Sequence, residues 1–249
     1  MSSDYYFTIK GLFDFDKTIV TNELFSDGES YNSSKIGMKN LVLNGFITSN
    51  NIYKKFALNK ILSSNKLKAL VITTQELGQI YCEVGVKNRA VGDSPIAISI
   101  QLIMPDPYLY TMESNTISLG ATSNSGLSFP FTFPIIFGAI TGGEGTLTNT
   151  GNAIAYPVVT IVGTCNSIVI NNTTTGESMS LDISLLETNI LLIDSRPSVR
   201  GIYLNGVKRM DLKNGNWLTC SPGENVFTFQ RNSLQTKQHC TVELQSRWI

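Results

Sequence analysis

The chain has one histidine, two tryptophans and four cysteines among 249 residues, and only 15% of its residues are charged. A single imidazole, His239, cannot build a metal site that rests on several histidines. No Ser–His–Asp arrangement is suggested around it, and G-x-S-x-G is absent. No two acidic residues are adjacent anywhere. The cysteines (Cys82, Cys165, Cys220, Cys240) are scattered, with no C-x-x-C pair. In a protein made in the cytoplasm they read as buried thiols, with a Cys220–Cys240 bridge across a hairpin as the lesser alternative. A basic excess is also missing. Lys+Arg and Asp+Glu are 19 each, and a split at Tyr110 leaves 11 basic and 10 acidic residues before it, 8 and 9 after. No Lys or Arg occurs from Ala90 to Ser195. Phosphate neutralisation needs such cations, so specific nucleic-acid binding is not expected. No apolar run reaches the ~20 residues of a membrane helix, because the richest, Phe129–Ile140, is broken by Pro130, Pro134 and Gly138. No membrane insertion is expected. Met1–Tyr5 has neither the basic region nor the apolar core of a secretion signal, so the Asn-x-Ser/Thr triplets at Asn32, Asn171 and Asn172 read as turns rather than glycosylation sites.

What is present is a globular, 42% hydrophobic composition whose dominant period is two. Ile96, Ile98, Ile100, Leu102 and Met104 alternate with polar or small residues. Met179, Leu181, Ile183 and Leu185 do the same, as do Cys240, Val242 and Leu244. Each set describes a strand with one buried face. Val158–Val162 and Ile190–Ile193 are continuous apolar runs suited to strands buried on both faces. Asp27-Gly28, Asn44-Gly45, Asn205-Gly206 and Asn214-Gly215 are hairpin-turn dipeptides. One segment differs: Ile52–Leu62 is rich in helix formers, follows Asn50-Asn51, and predicts one helix of about three turns. Pro105 and Pro107 end the strand before Tyr110. A small-residue stretch, 111–128, follows, and the sandwich strands are expected from about Phe129. The domains are expected to be 1–112 and 113–249.

Three patterns invite chemistry. Asp14-Phe15-Asp16-Lys17-Thr18 looks like the first motif of haloacid-dehalogenase phosphatases, where Asp14 would attack phosphorus and Asp16 would act as acid or base beside Mg²⁺. The surrounding pattern is β rather than βα, and the second acidic cluster is missing, so a hairpin edge is the preferred reading. Gly142-Gly143-Glu144-Gly145-Thr146 lacks the lysine and following helix of a phosphate loop and reads as a flexible inter-strand loop. Trp217 and Trp248 could stack on sugars, or serve as core plugs or interface anchors.

The C-terminal half carries a resemblance. Asp106-Pro107-Tyr108-Leu109-Tyr110 looks like a domain junction. Asn149, Gly151, Pro157 and Ile161 mark a second motif, and Asn171–Leu181 with its Thr-Thr-Gly-Glu hairpin a third. Val199–Gly206, the corner Pro222-Gly223-Glu224-Asn225 with Phe227 and Phe229, and the closing strand complete the set. Together these resemble phage distal tail proteins, siphovirus-type tail components. The N-terminal part is a weaker match, with Lys35 and Lys39 where the family often has arginine. The resemblance implies a mainly β protein: an N-terminal split β-barrel with one short helix and a C-terminal galectin-like β-sandwich. It implies a structural baseplate role. The N-terminal domain would form a homo-hexameric ring joining the tail tube to the tail hub and receptor-binding proteins, at the virion tail tip after assembly in the bacterial cytoplasm. The low charge fits surface hidden in an assembly. No residue is assigned to catalysis, cofactor or metal. A carbohydrate-binding sandwich contacting host cell-wall saccharide is the alternative, with the Asp14/Asp16 phosphatase behind it.

Overall fold

The computed structural model describes residues 5–14, 16–23, 29–47, 52–63, 65–91, 97–120, 142–230 and 239–249. Among the described residues the protein is mainly β with one α-helix, and the chain divides into two compact units, Met1–Tyr110 and Thr111–Trp248. Among the described residues no helix is long and apolar enough to cross a membrane.

In the first unit, β1 (Tyr5–Lys10) leads to β2 (Lys17–Glu23) and β3 (Glu29–Ile36), then β4 (Lys39–Ile47), α1 (Ile52–Leu62), β5 (Lys68–Thr74), β6 (Gly78–Val91), β7 (Ala97–Met104) and β8 (Leu109–Thr111). Antiparallel β1, β4, β7 and β6 form a sheet in that order, with β8 beyond β6. The 14-residue β6 pairs with β5 through Gly78–Val84 and with β7 through Gly85–Val91. A register shift between Val86 and Asn88 lets one strand serve both ladders and curl the sheet. The alternation in β7 is realised: Ile98, Ile100, Leu102 and Met104 are buried, with Leu41, Ile80, Cys82 and Val84 from its neighbours. β2 and β3 stand apart as a two-stranded arm that pairs with no other described strand.

Asn44-Gly45 does not turn the chain. It lies inside β4, with Gly45 opposite Phe7. A Cβ there would sit 1.9 Å from the Tyr6 carbonyl oxygen, so the glycine answers a close strand approach rather than a turn. Asp27-Gly28 lies outside the described residues.

The second unit is two sheets packed face to face. Its strands are β9 (Asn115–Ser118), β10 (Gly142–Asn149), β11 (Val158–Val162), β12 (Cys165–Asn172), β13 (Glu177–Leu185), β14 (Ile190–Asp194), β15 (Gly201–Leu204), β16 (Val207–Lys208), β17 (Lys213–Gly215), β18 (Gly223–Gln230), β19 (His239–Leu244) and the short β20 (Arg247–Trp248), with a 3-10 turn at Met210–Leu212. One sheet runs β10-β18-β12-β13-β17, the other β16-β15-β14-β11-β19-β9. The sandwich therefore begins before Phe129, because β9 already pairs with β19. The core holds Ile168, Ile170, Met179, Leu181, Phe227 and Phe229 from the first sheet, and Val159, Ile161, Leu191, Ile193, Ile202 and Val242 from the second.

Three expectations change here. The apolar runs of β11 and β14 are buried on one face only, and Ile190 is 50% exposed. They belong to an outer layer of a two-layer unit, so their second faces have no covering sheet. The glycine-rich 142–146 stretch is not a flexible loop but the start of β10, with Gly143 opposite Phe229 and Gly145 opposite Phe227. A Cβ on Gly143 would lie 2.6 Å from the Gly120 carbonyl oxygen and one on Gly145 3.0 Å from the Leu119 side chain, so the small residues let the end of β9 pass close. Asn214-Gly215 ends β17, paired with β13, instead of forming a two-residue hairpin loop. Asn205-Gly206 behaves as read: both residues have positive φ, 48° and 80°, and close the β15–β16 hairpin.

Candidate functional site

Four of the motifs that carry the resemblance, those at Asn149–Ile161, Asn171–Leu181, Pro222–Asn225 and the closing strand, meet in space as a polar brace along segment 217–225 of the second unit. Three asparagines, Asn149, Asn172 and Asn225, are buried to 1% exposure or less. A buried amide survives only with partners, and each of these has them. The Asn149 amide nitrogen donates to the Ala153 (2.8 Å) and Cys220 (3.2 Å) carbonyls, while its oxygen accepts from Gly151 N–H at 3.1 Å. Asn172 donates to the Thr219 carbonyl (2.7 Å) and Asn225 Oδ1 (3.2 Å), and accepts from Thr174 N–H. Asn225 donates to the Ser221 and Gly223 carbonyls and accepts from Ser221 N–H at 2.9 Å. Thus Asn225 shapes the Pro222-Gly223 corner, and Asn172 ties that corner to the β12–β13 hairpin.

Glu177 adds an anchor. Its carboxylate accepts from Thr219 N–H at 2.6 Å, from the Thr219 hydroxyl at 2.9 Å and from the Thr175 hydroxyl at 3.0 Å. Ala155 and Cys220 exchange backbone hydrogen bonds of 2.9 and 2.8 Å. A Cβ on Gly151 would lie 1.9 Å from the Arg247 carbonyl oxygen, so the middle of Asn149-Thr150-Gly151 must be glycine for the chain end to pass. The Arg247 guanidinium donates to the Ile154 carbonyl at 2.9 Å and lies 5.1 Å from the Tyr156 ring centroid. These groups hold loops to strands. They present no nucleophile beside a base.

The other candidates lie elsewhere. Asp14 and Asp16 are exposed between β1 and β2, and a strand rather than a helix follows them. Among the described residues no three His, Cys, Asp or Glu side chains gather as a metal site. His239 is exposed at the start of β19. Trp217 is half-buried against the sandwich core, with the Arg200 guanidinium 5.3 Å and the Lys213 ammonium 5.4 Å from its ring centroid. Its ring is engaged by protein groups and is not an open stacking platform. All four cysteines are buried and unbridged. Burial pushes the Cys82 thiol up to about 11 and the Cys220 thiol up to about 12, the latter with a contribution from Glu177. Such thiols are not activated nucleophiles. An open groove of about 460 Å³ lies over β12, β13 and β17, lined by Ser167, Ser180, Asp182, Asp211, Lys213 and Asn214 among others.

Two features of the first unit went unread in the sequence. Ile52–Leu62 is the expected helix, but much of its apolar surface points away from its own domain. Ile52, Tyr53, Phe56 and Ile61 are 57–79% exposed, while Lys54, Lys55, Leu58, Asn59 and Leu62 take the half-buried side. Asn59 accepts a hydrogen bond from Arg89 on β6. The second feature is the arm, where the neighbours Ile19 and Val20 are 60% and 44% exposed, so both faces are open. The spacing of the helix carried little signal for its outward side, because Leu58 and Leu62 share the half-buried side with Lys54 and Lys55.

Comparison with known proteins bears on this architecture. Residues 150–248 match the family model described as siphovirus-type tail component, C-terminal domain. Every residue of the brace except Asn149 falls inside that span. No curated protein sequence matches the chain. Among solved structures, the chain is similar to the Dit protein (gp 19.1) of SPP1, described as a paradigm of the hub adsorption apparatus in phages that infect Gram-positive bacteria. The identity is 12%, the TM-score is 0.66, and the match covers 97% of this chain and 92% of that one. The two therefore share a fold across both units. The second unit thus matches the C-terminal domain of siphovirus-type tail components over residues 150–248, and the whole chain shares its fold with SPP1 Dit.

Proposed function

We propose that this protein is a structural ring of the tail-tip hub, a homo-hexamer built mainly by the first unit. It joins the tail tube to the hub and the receptor-binding proteins, assembles in the bacterial cytoplasm and ends at the virion tail tip. One observation carries the reading: where the apolar surface lies. Among the described residues, 14 of the 21 exposed large hydrophobic side chains precede Tyr110. Surface of that kind marks an interface in a folded protein. An 11-residue helix is marginal by itself, and α1 turns its more apolar side to solvent. A neighbouring subunit removes both difficulties. The second unit, whose buried amides all have partners, then serves as a rigid body carried outward by the ring.

Negative-stain images of the purified protein and of tails containing it test this. Rings with sixfold averages are expected. A protein that stands as a monomer inside assembled tails would contradict it. The role needs no chemistry, so pure protein should lack Mg²⁺-dependent phosphatase activity. Activity abolished by Asp14→Asn would overturn the structural reading.

A further inference from the structure

We propose that β1 of one copy and β5 of the next join edge to edge as a parallel strand pair, so that the sheet continues from subunit to subunit. This rests on the ring reading above and names the seam that would build it. Three observations lead there.

The first is that both edges are open. The sheet path runs β1-β4-β7-β6, with β5 paired to β6, and the outer edges of β1 and β5 pair with no other described strand. Outside the ladders, no backbone hydrogen bond among the described residues leaves either strand. Such an edge presents a row of N–H and C=O groups to any other strand, and proteins blunt it with charge, proline, bulges or short length. None of these devices is applied here. Tyr5–Lys10 and Lys68–Thr74 are six and seven residues long, free of proline, and in unbroken register with β4 and β6. Each carries one charge, at one end only: Lys10 or Lys68. Tyr6, Phe7 and Val71 are exposed on them. The β2–β3 arm, by contrast, has a register shift between Val20 and Thr21.

The second is direction. Each step from β1 to β4, β7, β6 and β5 is antiparallel. Four reversals leave β1 and β5 pointing the same way along the sheet. Rotation about an axis that runs along the strands preserves this direction, so β1 of one copy meets β5 of the next in parallel. Two different edges that fit each other make a head-to-tail contact, which closes into a ring when its rotation permits. Closure leaves neither edge open in any copy. A two-fold contact of β1 with β1 would leave every β5 edge open.

The third is charge. In a parallel seam the two strands start together, so Lys68 lies beside the first residues of β1, and Lys10 lies beside Thr73 and Thr74 at the end of β5. Antiparallel joining of the same strands would set Lys10 beside Lys68, and like charges opposite each other are unfavourable. The neighbours Tyr6 and Phe7 point to opposite faces of β1, so each face of the seam receives an aromatic ring.

The test uses the full-length chain. Thr8→Cys and Val71→Cys are made separately, at exposed positions, and the four natural thiols are buried. The two variants, distinguished by mass, are mixed and treated with a short bis-maleimide. A cross-link between unlike chains is expected in the mixture, with none in either variant alone. Thr8→Lys and Val71→Lys, each placing a charge in the middle of a seam strand, should each weaken oligomerisation at least tenfold in native mass spectrometry at an unchanged melting temperature. In the natural protein, amide hydrogen exchange in β1 and β5 should slow at least tenfold on oligomerisation. Oligomers without the unlike cross-link, without this slowing, or untouched by both lysines overturn the seam and leave the ring standing. A cross-link in Thr8→Cys alone marks a two-fold contact of β1 with β1 and overturns the seam. A chain monomeric up to millimolar concentration also overturns the seam, while the ring is still judged from images of tails. The unlike cross-link in an open or two-subunit assembly keeps the seam and removes the ring.

Discussion

Asn172 and Asn225 show how a motif can be structural to the last atom. Each amide is spent on backbone groups that bend away from the strands. Replacing Asn225 by Ala removes the partner of the Ser221 and Gly223 carbonyls and of the Ser221 N–H at a part-buried corner, and leaves the buried Asn172 amide one partner short. The expected cost is about 1–3 kcal/mol, read as a lowered denaturation midpoint. Asn172→Ala should cost a similar amount. Because the two side chains share a hydrogen bond, the double variant should lose less than the sum, by roughly 0.5 kcal/mol or more. The buried thiols give a pH signature. Folding raises the pKa of Cys82 to about 11 and of Cys220 to about 12, above the ordinary value of 9.0. Below pH 9 both folded and unfolded chains keep these thiols neutral. Above it the unfolded chain ionises first, so stability falls as pH rises toward the folded values. At pH 10.5 the loss is about 2 kcal/mol per thiol relative to pH 8. Lys39 acts in the opposite sense, since burial lowers its pKa and its desolvation cost is relieved as pH rises. Guanidinium titrations at pH 8 and pH 10.5 should show a smaller alkaline loss in Cys220→Ala than in the natural protein.

At the scale of elements, β19 is an interior strand supplied by the end of the chain. It pairs with β11 on one side and β9 on the other, and Cys240, Val242 and Leu244 are fully buried. Leu244→Ala should cost about 2–5 kcal/mol, the range for emptying a packed core site. That is a large fraction of the roughly 5–15 kcal/mol that holds a domain together. Truncation after Thr236 removes the whole strand, exposes the flanks of β11 and β9, and should yield aggregated protein that fails to enter tails. An unchanged melting temperature after truncation would show that the strand contributes nothing. The helix makes the complementary case. α1 has no fully buried residue, so its amide hydrogens should exchange rapidly in the monomer and slowly in the assembled ring. Equal exchange in both states would show that no subunit covers it.

For the whole molecule, the division of labour follows from what each unit leaves unsatisfied. The second unit buries its core between two sheets and braces its loops through Asn149, Asn172, Glu177 and Asn225. The first retains an arm that pairs with no other described strand, a helix with Ile52, Tyr53, Phe56 and Ile61 outward, and a half-exposed aromatic stack. Mixing the units' roles is therefore testable: Phe56→Glu should abolish oligomers with little change in thermal stability, whereas Asn225→Ala should lower stability and leave the oligomer's stoichiometry intact. Size-exclusion chromatography and calorimetry on the two variants separate these outcomes.

Sequence alone determined the β character of the chain and the buried faces of β7, β13 and β19, because a period of two records which side of a strand is dry, and its run of helix formers placed the helix. It also placed Asn205-Gly206 in a turn, since local backbone strain is a local property. Only the tertiary structure decided that Asn44-Gly45 lies within a strand, that the glycines of β10 lie against Leu119 and Gly120, that β11 and β14 leave one face open, and that Ile52, Tyr53, Phe56 and Ile61 of α1 point outward. Each of these depends on which surface another segment covers, and periodicity marks a face without naming its cover. The brace required structure for the same reason: its asparagines lie up to 76 residues apart in the chain, from Asn149 to Asn225, and only folding brings their amides to the same corner.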